Sequence, residues 1–269
     1  MINPGYAGIL FIASFKKILL RLFFSLAFIY VALCAWLYFS QRSLLYFPTP
    51  RTDGVEAQAF ELQNDGLILK GWVTNPGKQR AMVYFGGNGE AVEYNAGLFE
   101  NSLPEVTVYL LPYRSYGGNP GDVTEENLYR DALKLYDQIN SRHESVAAMG
   151  RSLGSGVATY LASKRKIDKL ILVTPYDSIV NVAQSHYPAF PVGLLIKDRF
   201  ESWQRAPDID SDVLVLVAGS DEIIPRSNTD NLVKYFKQKP RVIVFENTGH
   251  NTLSDSAVYE QAISGFVGK

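Results

Sequence analysis

The 269-residue sequence predicts an α/β protein: a mostly parallel central sheet with helices on both faces, an N-terminal antiparallel hairpin and a lid-like insertion, preceded by one transmembrane helix. Beyond residue 80, short and nearly continuous apolar runs alternate with helix-compatible stretches, as strands buried on both faces between crossover helices do. Ahead of them, two β-rich runs flank Asn64-Asp65-Gly66, a strong hairpin signal. Ahead of those, no charge interrupts Leu22 to Gln41, close to the ~20 residues a helix needs to cross the hydrocarbon core of a bilayer.

The elements follow in order. "AQAFELQ" and "LILKGWVTN" form the hairpin, "AMVYFGG" is a buried strand, "EYNAGLFENSL" is helix-compatible and "VTVYLLPY" is again a strand. "TEENLYRDALKLYDQINSR" is an amphipathic helix, with Leu128, Ala132, Leu135 and Ile139 at helical spacing and Thr124 placed as its N-cap. "SVAAMG" (strand), "GSGVATYLASKR" (helix), "KLILVTP" (strand), "DVLVLVAG" (strand), "NTDNLVKYFKQ" (helix), "RVIVFE" (strand) and "SDSAVYEQAISGFVG" (helix) complete the series. The alternation breaks once, over about 176–212, where prolines and large apolar side chains mark a lid or binding segment rather than a connector. The expected organisation is an anchor segment at 1–41, a connector at 42–55 with Pro48 and Pro50, and one catalytic domain at 56–269.

Lys16, Lys17 and Arg21 precede the apolar stretch, so the positive-inside rule puts the N-terminus in the cytoplasm and the bulk of the chain outside, on the periplasmic side in a Gram-negative cell. Trp36, Tyr38 and Tyr46 suit the outer interface. A cleaved signal peptide competes, but the stretch exceeds a usual h-region and no A-x-A site follows it; a lipoprotein cysteine at Cys34 would want a smaller residue than Leu33 before it. Cys34 is the sole cysteine, which excludes an internal disulfide framework and a cysteine-based zinc site. The formal net charge of −1 points to no nucleic-acid partner, and nothing in the sequence implies a metal or a cofactor.

Reactive groups of an open parallel sheet gather at the carboxyl ends of its strands. Ser152, in "GRSLGSG", lies between a strand and a helix, where Gly150, Gly154 and Gly156 permit a sharp, closely packed turn. A serine nucleophile needs a base held by an acid. Of three histidines, His143 precedes its strand and reads as a surface residue, and His186 falls in the insertion. His250, after the last strand, suits the general base; Asp221, after the preceding one, suits the acid and is favoured over Glu222. An oxyanion hole would use the backbone N–H of Leu153 and that of Asn88 in "VYFGGNGE", with Gly87 shaping the turn.

These segments together resemble the α/β-hydrolase superfamily, and within it a branch of N-terminally membrane-anchored serine hydrolases that includes depalmitoylase-like proteins. The resemblance covers about residue 40 to the end and rests on "QRSLLYFPTP", "YFGGNGE", "LPYRSYGGNPGDVTEENLYRDA", "GRSLGSG", "AGSDEIIP" and "TGHN". It implies the fold, the chain order Ser152, Asp221, His250 as nucleophile, acid and base, and Asn88 and Leu153 as oxyanion donors. Relatives usually carry a histidine where this chain has Gly86, which bears on how the oxyanion loop is ordered.

The expected activity is hydrolysis of a carboxylic ester or thioester, small or lipid-like, through an acyl-enzyme. The alternatives are an amidase or peptidase with the same triad and a non-catalytic membrane-tethered binding protein. Tyr116, in a segment expected to border the mouth with Tyr113 and Arg114, and Tyr187, Phe190 and Phe200 of the insertion are the candidate substrate contacts.

Overall fold

β-branched and aromatic residues favour strands, and in the computed structural model eight strands join one sheet. The structure describes residues 4–52 and 54–268, with side chains from Phe15 onward. Residues 1–3, Asp53 and Lys269, which the expected segments 1–41, 42–55 and 56–269 include, lie outside the described residues.

A long helix, α1 (Pro4–Leu45), leads through extended chain to β1 (Gln58–Asn64), β2 (Leu67–Thr74), β3 (Arg80–Phe85), α2 (Ala96–Ser102) and β4 (Val106–Leu110). There follow α3 (Glu125–Ile139), β5 (Ser145–Arg151), α4 (Leu153–Lys164) and β6 (Lys169–Val173). Three short helices, α5 (Ile179–His186), α6 (Val192–Leu195) and α7 (Ser202–Arg205), occupy the insertion before β7 (Asp212–Ala218), α8 (Arg226–Val233), β8 (Arg241–Phe245) and α9 (Ala257–Val267).

The strand order is β1-β2-β4-β3-β5-β6-β7-β8. Strands β3 to β8 run parallel, and β2 pairs antiparallel with both β1 and β4. In the β1–β2 hairpin, Asp65 (φ 51°) and Gly66 (φ 75°) both take left-handed backbone, which a two-residue turn needs to match the strand twist.

Successive strand residues point to opposite faces, and each face is sealed by its own helices. Val83, Ala148, Leu170 and Val215 pack under Leu128 and Leu135 of α3 and Val157 and Leu161 of α4. Met82, Met149, Ile171 and Leu214 pack under Phe99 of α2 and Ile263 of α9. Helix α3 starts where expected, its first turn capped by Thr124 Oγ1 accepting from the Asn127 N–H at 3.1 Å.

Helix α1 differs from the rest: over Phe15–Leu45 it is long and apolar enough to cross a membrane, and Phe23, Phe28 and Phe39 are each more than 60% exposed. It continues four residues past Gln41, because Gln41, Arg42 and Ser43 tolerate helix and the first breaker downstream is Pro48.

Candidate functional site: a serine, a histidine and an aspartate at the strand ends

Ser152 links β5 to α4 with φ 49° and ψ −116°, a conformation costly for any residue with a Cβ. Its surroundings over-determine it. The Ser152 N–H donates to Val173 O at 2.9 Å, and the backbone passes so close to its neighbours that a Cβ at Gly150 would meet Gly154 O at 2.2 Å, and one at Gly154 would meet Phe85 O at 2.1 Å. The turn therefore requires glycine at both positions, and it lifts the Ser152 side chain above the sheet edge.

His250 follows β8 and Asp221 follows β7. His250 Nε2 lies 2.9 Å from Ser152 Oγ, and its Nδ1 lies 2.8 Å and 3.0 Å from the two Asp221 carboxylate oxygens. A carboxylate only accepts, so it selects the tautomer with hydrogen on Nδ1 and leaves the Nε2 lone pair for the serine hydroxyl. The imidazole and the carboxylate are almost fully buried. Asp221 Oδ1 also accepts the backbone N–H groups of Ile223 and Ile224, at 2.9 and 2.8 Å, which fixes its rotamer. Glu222 instead accepts the His250 backbone N–H through its Oε2 at 3.3 Å.

The loop after β3 lies against the serine: a Cβ at Gly87 would stand 3.6 Å from Ser152 Cβ. The Gly87 N–H itself is occupied, donating to Glu90 Oε2 at 2.6 Å, so Gly87 shapes the loop. Leu153 N–H stands in the first turn of α4, where backbone N–H groups lack helical partners.

Glu90 organises this loop and escaped the sequence reading. It accepts from Gly87 N–H, from Tyr84 Oη at 2.5 Å, from Asn95 Nδ2 at 2.7 Å and from Arg151 at 3.1 Å. Arg151, in the variable position beside the serine, also reaches Asn251 Oδ1 at 3.1 Å and so ties the loop after β3 to the loop that carries His250. The glycine at 86 is accommodated in turn: a Cβ there would come within 2.4 Å of Val92 Cγ1, so Val92 fills the space that a side chain would take. The Gly87-to-Glu90 spacing was a readable signal for a loop staple; the pairing with Arg151 was not.

Two tyrosines brace the same loop. Tyr113 Oη donates to Gly86 O at 2.7 Å and Tyr116 Oη donates to Asn88 Oδ1 at 2.7 Å. Burial pushes the Tyr116 hydroxyl up to about 12, against the Phe47 and Gly89 N–H groups that donate to its oxygen, so it keeps the proton it donates. Asn88 meets the end of α1: its Nδ2 donates to Leu45 O at 2.5 Å and its Oδ1 accepts from Phe47 N–H at 2.9 Å.

Two expected substrate contacts lie elsewhere. Phe200 is fully buried, edge-on to Tyr129 and close under Gly156, and belongs to the core. Tyr116 is buried as a loop brace, and Arg114 turns away from the mouth to pair with Asp131 and Asp65. The cause is common to all: large side chains from a loop over a sheet bury inward when the layer beneath has room. Tyr187 and Phe190 do line an apolar groove, formed between α1 and the lid. His186 is exposed, its Nε2 on Ile223 O at 2.8 Å, and His143 meets Tyr109 Oη and Lys78 O at the opposite end of the sheet. Among the described residues no group of three or more His, Cys, Asp and Glu side chains is arranged to hold a metal ion.

This sheet order, with Ser152, Asp221 and His250 after β5, β7 and β8, gives the chain an α/β-hydrolase fold, and it resembles proteins named for that fold. It is 31% identical over 245 residues to an uncharacterized protein of Mycobacterium tuberculosis, covering 84% of this chain and 87% of that one. It is 25% identical over 240 residues to the human alpha/beta hydrolase domain-containing protein 17B, covering 86% and 81%. Among solved structures, an esterase of Pyrococcus furiosus superposes with a TM-score of 0.63 over 83% of this chain and 97% of its own, at 13% identity, a likeness of fold. No protein-family model matches the chain.

Proposed function

We propose that the protein is a membrane-anchored serine hydrolase that cleaves a carboxylic ester or thioester. What carries this reading is the hydrogen-bonded run from Ser152 Oγ through His250 to Asp221, with the serine on a strained turn at the start of α4. As the serine oxygen attacks the acyl carbon, its proton passes to His250 Nε2, and Asp221 stabilises the imidazolium. The N–H groups of Leu153 and Asn88 receive the developing oxyanion, helped by the positive end of α4. His250 then returns the proton to the leaving group, and water, activated by the same imidazole, releases the acid. The esterase name of a structural neighbour accords with this chemistry, and the groove beside the lid suits an apolar acyl group.

In this reading residues 1–41 carry the anchor, 42–55 the connector and 56–269 the catalytic domain, with the lid at about 176–212. Lys16, Lys17 and Arg21 on the inner side of α1 favour a cytoplasmic N-terminus and an extracytoplasmic domain. The test is labelling of the membrane-bound protein with a fluorophosphonate probe, together with turnover of p-nitrophenyl butyrate. Wild type should label, and Ser152→Ala should lose labelling and at least about 10³-fold in turnover. Equal labelling of the two proteins refutes the proposal. A shortened, soluble product in place of a membrane-bound one refutes the anchor.

A further inference from the structure

The insertion between β6 and β7 leans on α1 well inside the apolar stretch. Tyr30 Oη donates to Ala189 O at 2.9 Å, and the Tyr30 and Phe190 rings stack with centroids 5.8 Å apart. Farther toward the domain, Gln41 Nε2 donates to Leu195 O at 3.0 Å, Arg42 pairs with Asp198 at 2.9 Å, and the Lys197 ammonium stands 4.2 Å from the Tyr38 ring centroid. A tyrosine ring with a lysine over it, next to an ion pair, marks the level at which a bilayer meets water. Tyr30 lies eight residues before Tyr38, which at about 1.5 Å per helical residue is about 12 Å deeper, within the outer half of a hydrocarbon core about 30 Å thick. Residues 189 and 190 lie at the depth of Tyr30.

The segment is built for that depth. From Tyr187 to Ile196 it has no charged residue, and Leu194 and Tyr187 are 86% and 57% exposed. Backbone in hydrocarbon must be satisfied internally. Every carbonyl from Tyr187 to Gly193, and that of Leu195, accepts a hydrogen bond from within the protein, several of them from Gln184 Nε2 at the end of α5. Pro188 and Pro191 remove two backbone donors outright.

Between this segment and α1 runs a groove of about 190 Å³, walled by Leu37, Leu44 and Leu45 on one side and Ile179, Ala183 and Phe190 on the other. Sites for drug-sized ligands run to roughly 300–1,000 Å³, so this one suits a single unbranched chain rather than a ring system. Its two walls end at the two halves of the site. Leu45 is held to Asn88 of the oxyanion loop, and α5 is held, through His186, to Ile223, which in turn donates to Asp221.

We propose that residues 187–196 are immersed in the outer half of the bilayer beside α1, and that the groove between them holds one aliphatic acyl chain of a membrane-embedded ester or thioester. The substrate then reaches Ser152 sideways from the lipid rather than from water, and α1 is one wall of the acyl site as well as the anchor. This rests on the anchored serine hydrolase reading.

The full-length protein carrying Cys34→Ser, with a nitrobenzoxadiazole label at Leu194→Cys, is reconstituted in phosphatidylcholine vesicles; the same label at Lys237→Cys, beside Asp210 before β7, is the aqueous control. At 194 the label should emit to the blue of the control, be quenched by lipids doxyl-labelled in the acyl chain, and quench at least 5-fold less steeply with iodide. Iodide quenching equal to the control overturns the immersion. With p-nitrophenyl esters of two to sixteen carbons, Ala183→Trp, or Leu37→Trp from the other wall, should lower the long-to-short ratio of kcat/KM at least 10-fold. An unchanged ratio in both variants overturns the acyl site. If wild type turns over no ester while the label at 194 is shielded, the hydrolase reading fails and the immersion stands.

Discussion

Replacing Glu90 by alanine tests whether the loop over Ser152 owes its order to one carboxylate. The substitution removes the acceptor for Gly87 N–H, Tyr84 Oη, Asn95 Nδ2 and Arg151 at once. Tyr84 is 1% exposed, and an orphaned buried hydroxyl costs about 1–3 kcal/mol. The Arg151 side chain is 18% exposed and can turn toward water, so loss of its ion pair adds about 1 kcal/mol or less. Because the bonds share one carboxylate they do not add fully, and about 2–4 kcal/mol of lost stability is expected. The effect on turnover follows from the loop's place beside the serine, where a Cβ added at Gly87 would stand 3.6 Å from Ser152 Cβ. Complete loss of an oxyanion donor costs about 10²–10³ in kcat, and a loop that holds Asn88 N–H in place part of the time should lose about 10- to 100-fold. Thermal unfolding of the protein in detergent measures the first effect. The kcat and KM for p-nitrophenyl butyrate measure the second, with the loss expected in kcat and little in KM, and with partial recovery in Glu90→Gln. A variant that melts within a degree of wild type and keeps kcat within twofold refutes the reasoning.

Phe200→Ala should act as a core truncation, lowering stability by about 3–5 kcal/mol in thermal or chemical unfolding while the folded protein keeps its order of preference among ester chain lengths. A changed preference at unchanged stability would return Phe200 to the substrate site. Asp65 sits beside the Arg114 guanidinium, 2.7 Å away, which holds its carboxyl below the usual carboxylate range. A depressed folded-state pKa adds stability above the unfolded value of about 3.9, and that contribution is lost as pH falls through the folded value. Asp65→Asn keeps the left-handed turn, so it should melt below wild type at neutral pH and converge with it under acid; a constant gap across pH refutes the linkage.

Strand and helix placement was legible because the signals are local. "LILKGWVT", "VTVYL" and "DVLVLVA" are too apolar and too β-branched to lie anywhere but inside a sheet, and Asn64-Asp65-Gly66 fixes a hairpin wherever it occurs. Helix α1 runs on to Leu45, past the end of the uncharged stretch at Gln41, since charge marks where an apolar run stops and not where helical hydrogen bonding stops. The substrate contacts were the least legible: an aromatic residue in a proline-rich insertion reads the same whether it faces a groove, as Phe190 does, or the core, as Phe200 does.

The sequence by itself determined the alternation of elements, the glycines that let Ser152 take a strained turn, and the chain order of serine, aspartate and histidine. All of these depend on residues near one another in the chain or on the rule that reactive groups follow parallel strands. Only the tertiary structure decided that His250 Nε2 stands 2.9 Å from Ser152 Oγ, that Glu90 and Arg151 bind the loop after β3 to the loop of His250, and that Tyr30 meets Ala189. Those contacts join residues 61 to 159 positions apart, and no local propensity encodes which distant partner a buried carboxylate or hydroxyl finds; packing of the whole chain does.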